Sequence, residues 1–318
     1  MYKLSLADFS HKRELTNLWL EAFGDGENFI ASFLGAYMIP EYNVPVMISE
    51  SDKKIASALY LVDFELYSET KSLGNCAYLF AAATKKGHRN KGCMSKLVEY
   101  SASLCANRGL KAIFLFPQEQ NRQLFEFYSK FGFKDIYAAK KIIIHPGSGE
   151  KNAPAANYQD FNLTEKNIAD TDIFDGLYGA YAGFTAKQAL APLKDRLFYF
   201  KCAVSYLDAP DTHFAVFEYN SEKICYVFYK KYKNTLYIDD IILNAGDNFN
   251  KTADILAGFM LNSGICEKNL TLEMNILPDS VSDAQNNRLA MLLPLTHSVK
   301  NIVENLTAPV YINMFMNL

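Results

Sequence analysis

The most constraining stretch of this 318-residue chain is an unbroken apolar run at residues 76–83. It passes through Thr84 directly into a basic, glycine-containing segment, Lys85-Lys86-Gly87-His88-Arg89-Asn90-Lys91-Gly92. Consecutive apolar residues cannot alternate between core and water, so the pattern predicts a central strand at 75–84, covered on both faces. Helical spacing follows at once. Met94, Leu97, Val98 and Cys105 share one face of a predicted helix at 93–107, and Gly109 stands just past its end as a stop. A buried strand, a loop and a helix in that order make an α/β unit.

The remaining pattern fills in two halves. The first reads as a strand at 2–6, a helix at 12–22 capped by Ser10 with Leu15, Leu18 and Trp19 on one face, and a helix at 27–37. A hairpin at 44–49 and 55–66, a strand at 112–116, a helix at 121–130 and two strands ending near His145 follow. Residues 145–156 combine Pro, Gly and small polar side chains, which reads as a linker. The second half repeats part of the order: strands at 214–219, 224–229 and 236–243, a helix at 251–261 and a strand at 270–274. Residues 289–295 and 310–316 are read as a closing hairpin. The order suggests an internal duplication.

Composition narrows the classes. Half the residues are hydrophobic, 21% are charged and the net charge is −3, which suits a packed core and supplies no electrostatic reason for a nucleic-acid partner. The eight-residue run at 76–83 is far below the roughly 20 residues that span a bilayer. Asp8 and Lys12 interrupt any apolar signal core near the start. The expectation is a cytoplasmic protein without membrane contact. The six cysteines form no C-x-x-C pair and no metal spacing with the five histidines, so they read as buried thiols and no metal is expected.

The chemistry lies in residues 81–97. A loop between a strand and a helix N-terminus presents consecutive amides without intrahelical acceptors, and the helix dipole adds partial positive charge. Such a site receives phosphate or pyrophosphate. Gly92 permits close approach or positive φ, and Arg89 and Lys91 can add charged contacts. Neither the Walker A pattern nor the dinucleotide G-x-G-x-x-G is present.

Arg89-Asn90-Lys91-Gly92-Cys93-Met94 resembles the R/Q-x-x-G-x-G/A loop of the GNAT superfamily of N-acetyltransferases, with Met94 where Gly or Ala is usual. Downstream, Asn121 through Tyr128 to Gly132-Phe133 is similar to the family's N-x-x-x-x-x-x-Y-x-x-x-G-F signature. The resemblance covers residues 1–145. It implies an α/β (α+β) chain of two GNAT-like domains, each a mixed, mostly antiparallel sheet flanked by helices. They would be an acetyl-coenzyme A-binding domain at 1–145, a linker at 146–157 and a degenerate second domain at 158–318. The second half has Leu243-Asn244-Ala245-Gly246-Asp247 at the corresponding junction, without basic residues, and Asp247 would repel a pyrophosphate. The chain also resembles the N-terminal part of the enhanced-intracellular-survival-type acetyltransferases.

The resemblance further implies roles. Ala82, Ala83 and Thr84 would pair with the pantetheine arm. The amides of Arg89, Asn90, Lys91, Gly92, Cys93, Met94 and Ser95 would hold the pyrophosphate, and Asn121 would contact the cofactor. Tyr128 would protonate the departing thiolate, and Asp63 or Glu65 would be the base that relieves the attacking amine of its proton. The residues around Trp19 and Asp25 fit the acceptor-side helices. The expected activity is transfer of an acetyl group to a small-molecule amine, with homo-oligomerisation left open. The alternative is a non-catalytic acyl-coenzyme A sensor.

Overall fold

A computed structural model describes residues 1–118, 121–138, 140–144, 161–219, 222–232, 235–243, 271–276 and 288–306. The chain forms two compact units. The first comprises residues 1–66, 73–136 and 290–305, and the second comprises 67–72, 137–289 and 306–318.

In the first unit, β1 (Tyr2–Leu6) precedes α1 (Lys12–Phe23), α2 (Glu27–Tyr37), β2 (Pro45–Ser49), β3 (Ile55–Ser68) and β4 (Lys71–Thr84). Then come α3 (Cys93–Asn107), β5 (Ala112–Leu115), α4 (Arg122–Ser129) and β6 (Lys134–Ala138). The cap before α1 differs from the sequence expectation. A short 3₁₀ turn, Phe9–His11, precedes the helix; Asp8 caps that turn, accepting from the Ser10 amide at 2.8 Å, and α1 starts after His11 with no side-chain capping bond. A carboxylate immediately ahead of a tight turn reaches the amide two residues on, which the Ser10 hydroxyl cannot do for its own amide.

The uniform apolar run has the predicted explanation. Leu59, Leu61, Ala77 and Leu79 face one way, into a core with Leu97, Val98 and Cys105 of α3. Alternate residues face the other way. Trp19 of α1 lies 5.0 Å from the Tyr60 ring and 5.4 Å from Phe80, and Tyr78 stacks on Phe114 at 5.0 Å. Period two with both faces covered requires every position to be apolar.

The later elements are β7 (Lys140–Ile144), β8 (Phe161–Glu165), α5 (Thr171–Ala186), β9 (Ala191–Leu193), α6 (Arg196–Leu207), β10 (Thr212–Tyr219), β11 (Glu222–Tyr232), β12 (Thr235–Leu243), β13 (Thr271–Ile276), β14 (Arg288–Pro294) and α7 (His297–Glu304). The first sheet runs β1-β2-β3-β4-β5-β14-β6, and the second runs β7-β13-β12-β11-β10-β8. Each has a parallel pair, β4 with β5 and β12 with β13, beside antiparallel neighbours.

The sequence expectation for residues 289–295 is a closing hairpin with 310–316, and the latter lie outside the described residues; what is described is β14 inside the first sheet. β14 pairs antiparallel with β5, Leu292 opposite Phe114 and Leu293 opposite Ile113. The linker at 146–157, the helix at 251–261 and the junction at 244–250 also lie outside the described residues. α5 and α6, absent from the sequence reading, pack Leu177, Tyr181, Tyr199 and Ala203 into the second unit's core.

Candidate active site

β4 is held to β5 over a short stretch. The parallel ladder pairs Ala77 with Ile113 and Tyr78 with Phe114, after which β4 continues to Thr84 while β5 ends at Leu115. On its other side β4 stays tied to β3, where Ser57 Oγ donates to the Ala83 carbonyl at 2.9 Å and meets Thr84 Oγ1 at 2.8 Å. Ala81 interrupts the extended run with φ of +46°, a conformation that bends a strand away from its neighbour. Main-chain groups beyond Tyr78 therefore leave the β5 ladder, and a small-residue edge, Ala82-Ala83-Thr84, is available to an extended ligand.

The loop that follows is held at its start. The Lys85 amide donates to the Ala56 carbonyl at 2.9 Å, and the Lys86 amide to Glu21 Oε1 at 3.2 Å. Asn90 and Gly92 both take left-handed backbone, at φ of +60° and +74°, and Gly92 is the N-cap of α3. The Lys96 amide makes the helix's first bond, to the Gly92 carbonyl at 3.1 Å. Among the described residues, no acceptor meets the amides of Asn90, Lys91, Gly92, Cys93, Met94 or Ser95. The Arg89 amide does have an acceptor, the Lys86 carbonyl at 3.4 Å. Unpaired amides at a helix N-terminus, shaped by alternating backbone handedness, have the geometry that suits an anion.

The side chains leave that arrangement to the main chain. Cys93 is buried in the core, with its thiol pKa raised by burial, and Met94 packs against the same cluster. Met94 therefore keeps its bulk on the core, where a glycine or alanine would leave space. Leu79, Ala82 and Tyr128 belong to this cluster too, so the structure brings the β4 edge, the start of α3 and the α4 tyrosine together.

Tyr128 lies on α4 with its ring edge-on to Phe127 at 5.1 Å and Phe133 at 5.6 Å. Its hydroxyl makes no hydrogen bond among the described residues, and burial pushes its pKa up to about 12. Gly132 turns the chain back at φ of +89°, and a Cβ there would meet Leu293 Cδ1 at 3.3 Å. This accounts for glycine in the Tyr128-x-x-x-Gly132-Phe133 spacing. Asn121 is the α4 N-cap residue, and its side chain makes no capping bond.

The two proposed bases do not fare alike. Asp63 is engaged by Arg108, the residue that closes α3, and Arg108 stacks over Tyr42 at 4.0 Å. Burial raises the Asp63 pKa and Arg108 opposes that rise. α3 has 15 residues, so Arg108 stands about 22 Å along the helix from the amide cradle. The Asp63 carboxylate, one of the two candidate bases, is thus engaged in an ion pair. Glu65 is half-buried two residues further along β3, toward the hairpin tip and away from Thr84.

Sequence reasoning missed the side chains that fasten the site. Glu14 Oε2 accepts from the Ile55 amide at 2.7 Å, and Tyr2 OH shares a hydrogen bond with His88 Nδ1 at 2.9 Å. These contacts span dozens of residues and carry no local signal. On the opposite sheet face, Trp19 Nε1 donates to Asp25 Oδ2 at 2.7 Å. Among the described residues there is no group of His, Cys, Asp and Glu suited to a metal ion. No described helix is long and apolar enough to cross a membrane.

Residues 5–136 match the family model of the acetyltransferase (GNAT) domain. No curated protein sequence matches the chain. Among solved structures, 93% of the chain aligns with 72% of a probable N-acyltransferase from Enterococcus faecalis V583, at 12% identity and a TM-score of 0.71. A GCN5-related N-acetyltransferase from Anabaena variabilis ATCC 29413 aligns over 93% of this chain and 73% of its own, at 14% identity and 0.68. Eis1 from Mycobacterium abscessus aligns over 95% and 76%, at 12% identity and 0.64. At these identities the likeness is one of fold.

Proposed function

We propose, for a chain whose residues 5–136 are an acetyltransferase (GNAT) domain, that the first unit binds acetyl-coenzyme A and acetylates the amine of a small molecule. The observation that carries this reading is the row of unpaired amides from Asn90 to Ser95 beside the edge of β4 that departs from β5. The amides suit a pyrophosphate, and the β4 main chain suits an amide-bearing arm lying alongside it. The bound thioester supplies an activated acyl carbon.

This chain's residues then have separable roles. The amide cradle binds and orients. Tyr128, kept protonated across the physiological range by burial, is the proton donor to a departing thiolate. With Asp63 held by Arg108 and Glu65 further toward the hairpin tip, the amine's proton leaves by ordered water. A thiol-release assay with acetyl-coenzyme A and a panel of primary amines tests the proposal, with calorimetry of coenzyme A binding alongside. Binding with release above the uncatalysed rate for one amine supports the enzyme. Binding without release for any amine favours the sensor reading, and no binding rejects both.

A further inference from the structure

We infer that Tyr2, in the first strand, is a positioning residue for the anion-binding loop and acts through His88; this rests on the cofactor reading above. Tyr2 OH and His88 Nδ1 are 2.9 Å apart across 86 positions of sequence, and the two rings meet edge-on at 5.7 Å. The Tyr2 ring also packs against the core cluster that holds Cys93, the first residue of α3. One side chain thus meets both ends of the segment that contains Asn90 and Gly92, its hydroxyl at His88 and its ring at the core that buries Cys93.

That segment needs holding. Asn90 at φ of +60° is in the left-handed conformation that a side chain disfavours. A loop with this bias relaxes unless its ends are fixed. Glu21 and Ala56 fix its entry through Lys86 and Lys85, and α3 fixes its exit through the buried Cys93. Tyr2 joins entry to exit. It is itself anchored by the β1–β2 ladder, opposite Ser49, and by packing on the core that buries Cys93 and Leu97. The phenol therefore preorganises the six amides, so binding an anion needs less ordering of the loop.

The test is calorimetry with coenzyme A on the full chain, comparing wild type, Tyr2→Phe, His88→Ala, the double variant and His88→Asn, with melting curves to confirm folding. Tyr2→Phe and His88→Ala should each weaken affinity about three- to tenfold, the range for one hydrogen bond. The double variant should lose no more than the worse single one, since both remove the same bond. His88→Asn, whose side-chain oxygen can take the place of Nδ1, should restore most of the affinity. If Tyr2→Phe does not fold, the two His88 variants decide the matter. Wild-type affinity in Tyr2→Phe or in His88→Ala, or additive losses in the double variant, overturns the positioning role while leaving the cofactor reading intact. Failure of the wild-type protein to bind coenzyme A overturns both.

Discussion

Arg89 Nε donates to the carbonyl of Thr84 at 3.1 Å, so the arginine of the glycine loop closes on the last residue of the strand that leads into it. Lys91 does the same within the loop, its Nζ meeting the Gly87 carbonyl at 2.9 Å. These cations stiffen the loop, and the proposed anion site is main chain. The distinction matters for mutagenesis, because side-chain truncation and backbone disruption are expected to give different losses.

Gly92 is where backbone disruption should be most severe. Its φ of +74° disfavours any side chain, although a Cβ would meet no atom within 4 Å. Gly92→Ala should therefore cost about 1 kcal/mol of stability, reflecting conformation alone, and retain measurable coenzyme A binding. Gly92→Glu adds a negative charge at the cradle and should abolish binding. Calorimetry on folded protein separates the two; equal affinities would reject the cradle.

Tyr128→Phe keeps the ring packing against Phe127 and Phe133 and removes the proton donor. The single-turnover rate should fall on the order of 10²–10⁴-fold with little change in cofactor affinity. Because burial holds the phenol near pKa 12, wild-type activity should show no downward limb from this group below about pH 11. An unchanged single-turnover rate in the variant would remove Tyr128 from the chemistry.

Arg108→Ala should make stability more dependent on pH. Asp63 has a raised pKa even with Arg108 opposing the rise, so its ionised form is disfavoured in the folded state. An acid of this kind destabilises progressively as pH rises from the unfolded pKa through the folded one. Without the guanidinium the penalty at neutral pH grows, while the protonated acid is little affected. Melting temperatures should therefore drop more at pH 7 than near pH 4. Equal drops at both values would show that the pair contributes only packing.

Met291→Ala tests the role of β14. Met291 is fully buried in the same cluster as Leu115 and Tyr128, and pairs with Leu115 in the ladder. Removing a buried side chain of this size costs about 2–5 kcal/mol. Urea unfolding of the full chain, read alongside coenzyme A affinity, measures it. A loss well under about 1 kcal/mol would place β14 outside the working core.

The local features were legible in the residues alone. An unbroken apolar run implies a strand with both faces covered, and the bounds of α2 and α3 match the predicted 27–37 and 93–107. The loop's glycine and basic residues marked a candidate anion site because consecutive amides and helix ends are properties of nearby backbone. Tertiary structure decided the rest. Asp63 resembled any strand carboxylate until α3 brought Arg108 beside it, and Tyr2 was only the start of a strand until it reached His88. Above all, β14 enters the first sheet beside β5 from more than 170 positions away. Pairing between strands uses the same main-chain groups whatever the residues, so partner choice follows from which faces and edges remain uncovered once the chain is packed. That information is absent from any local window of sequence.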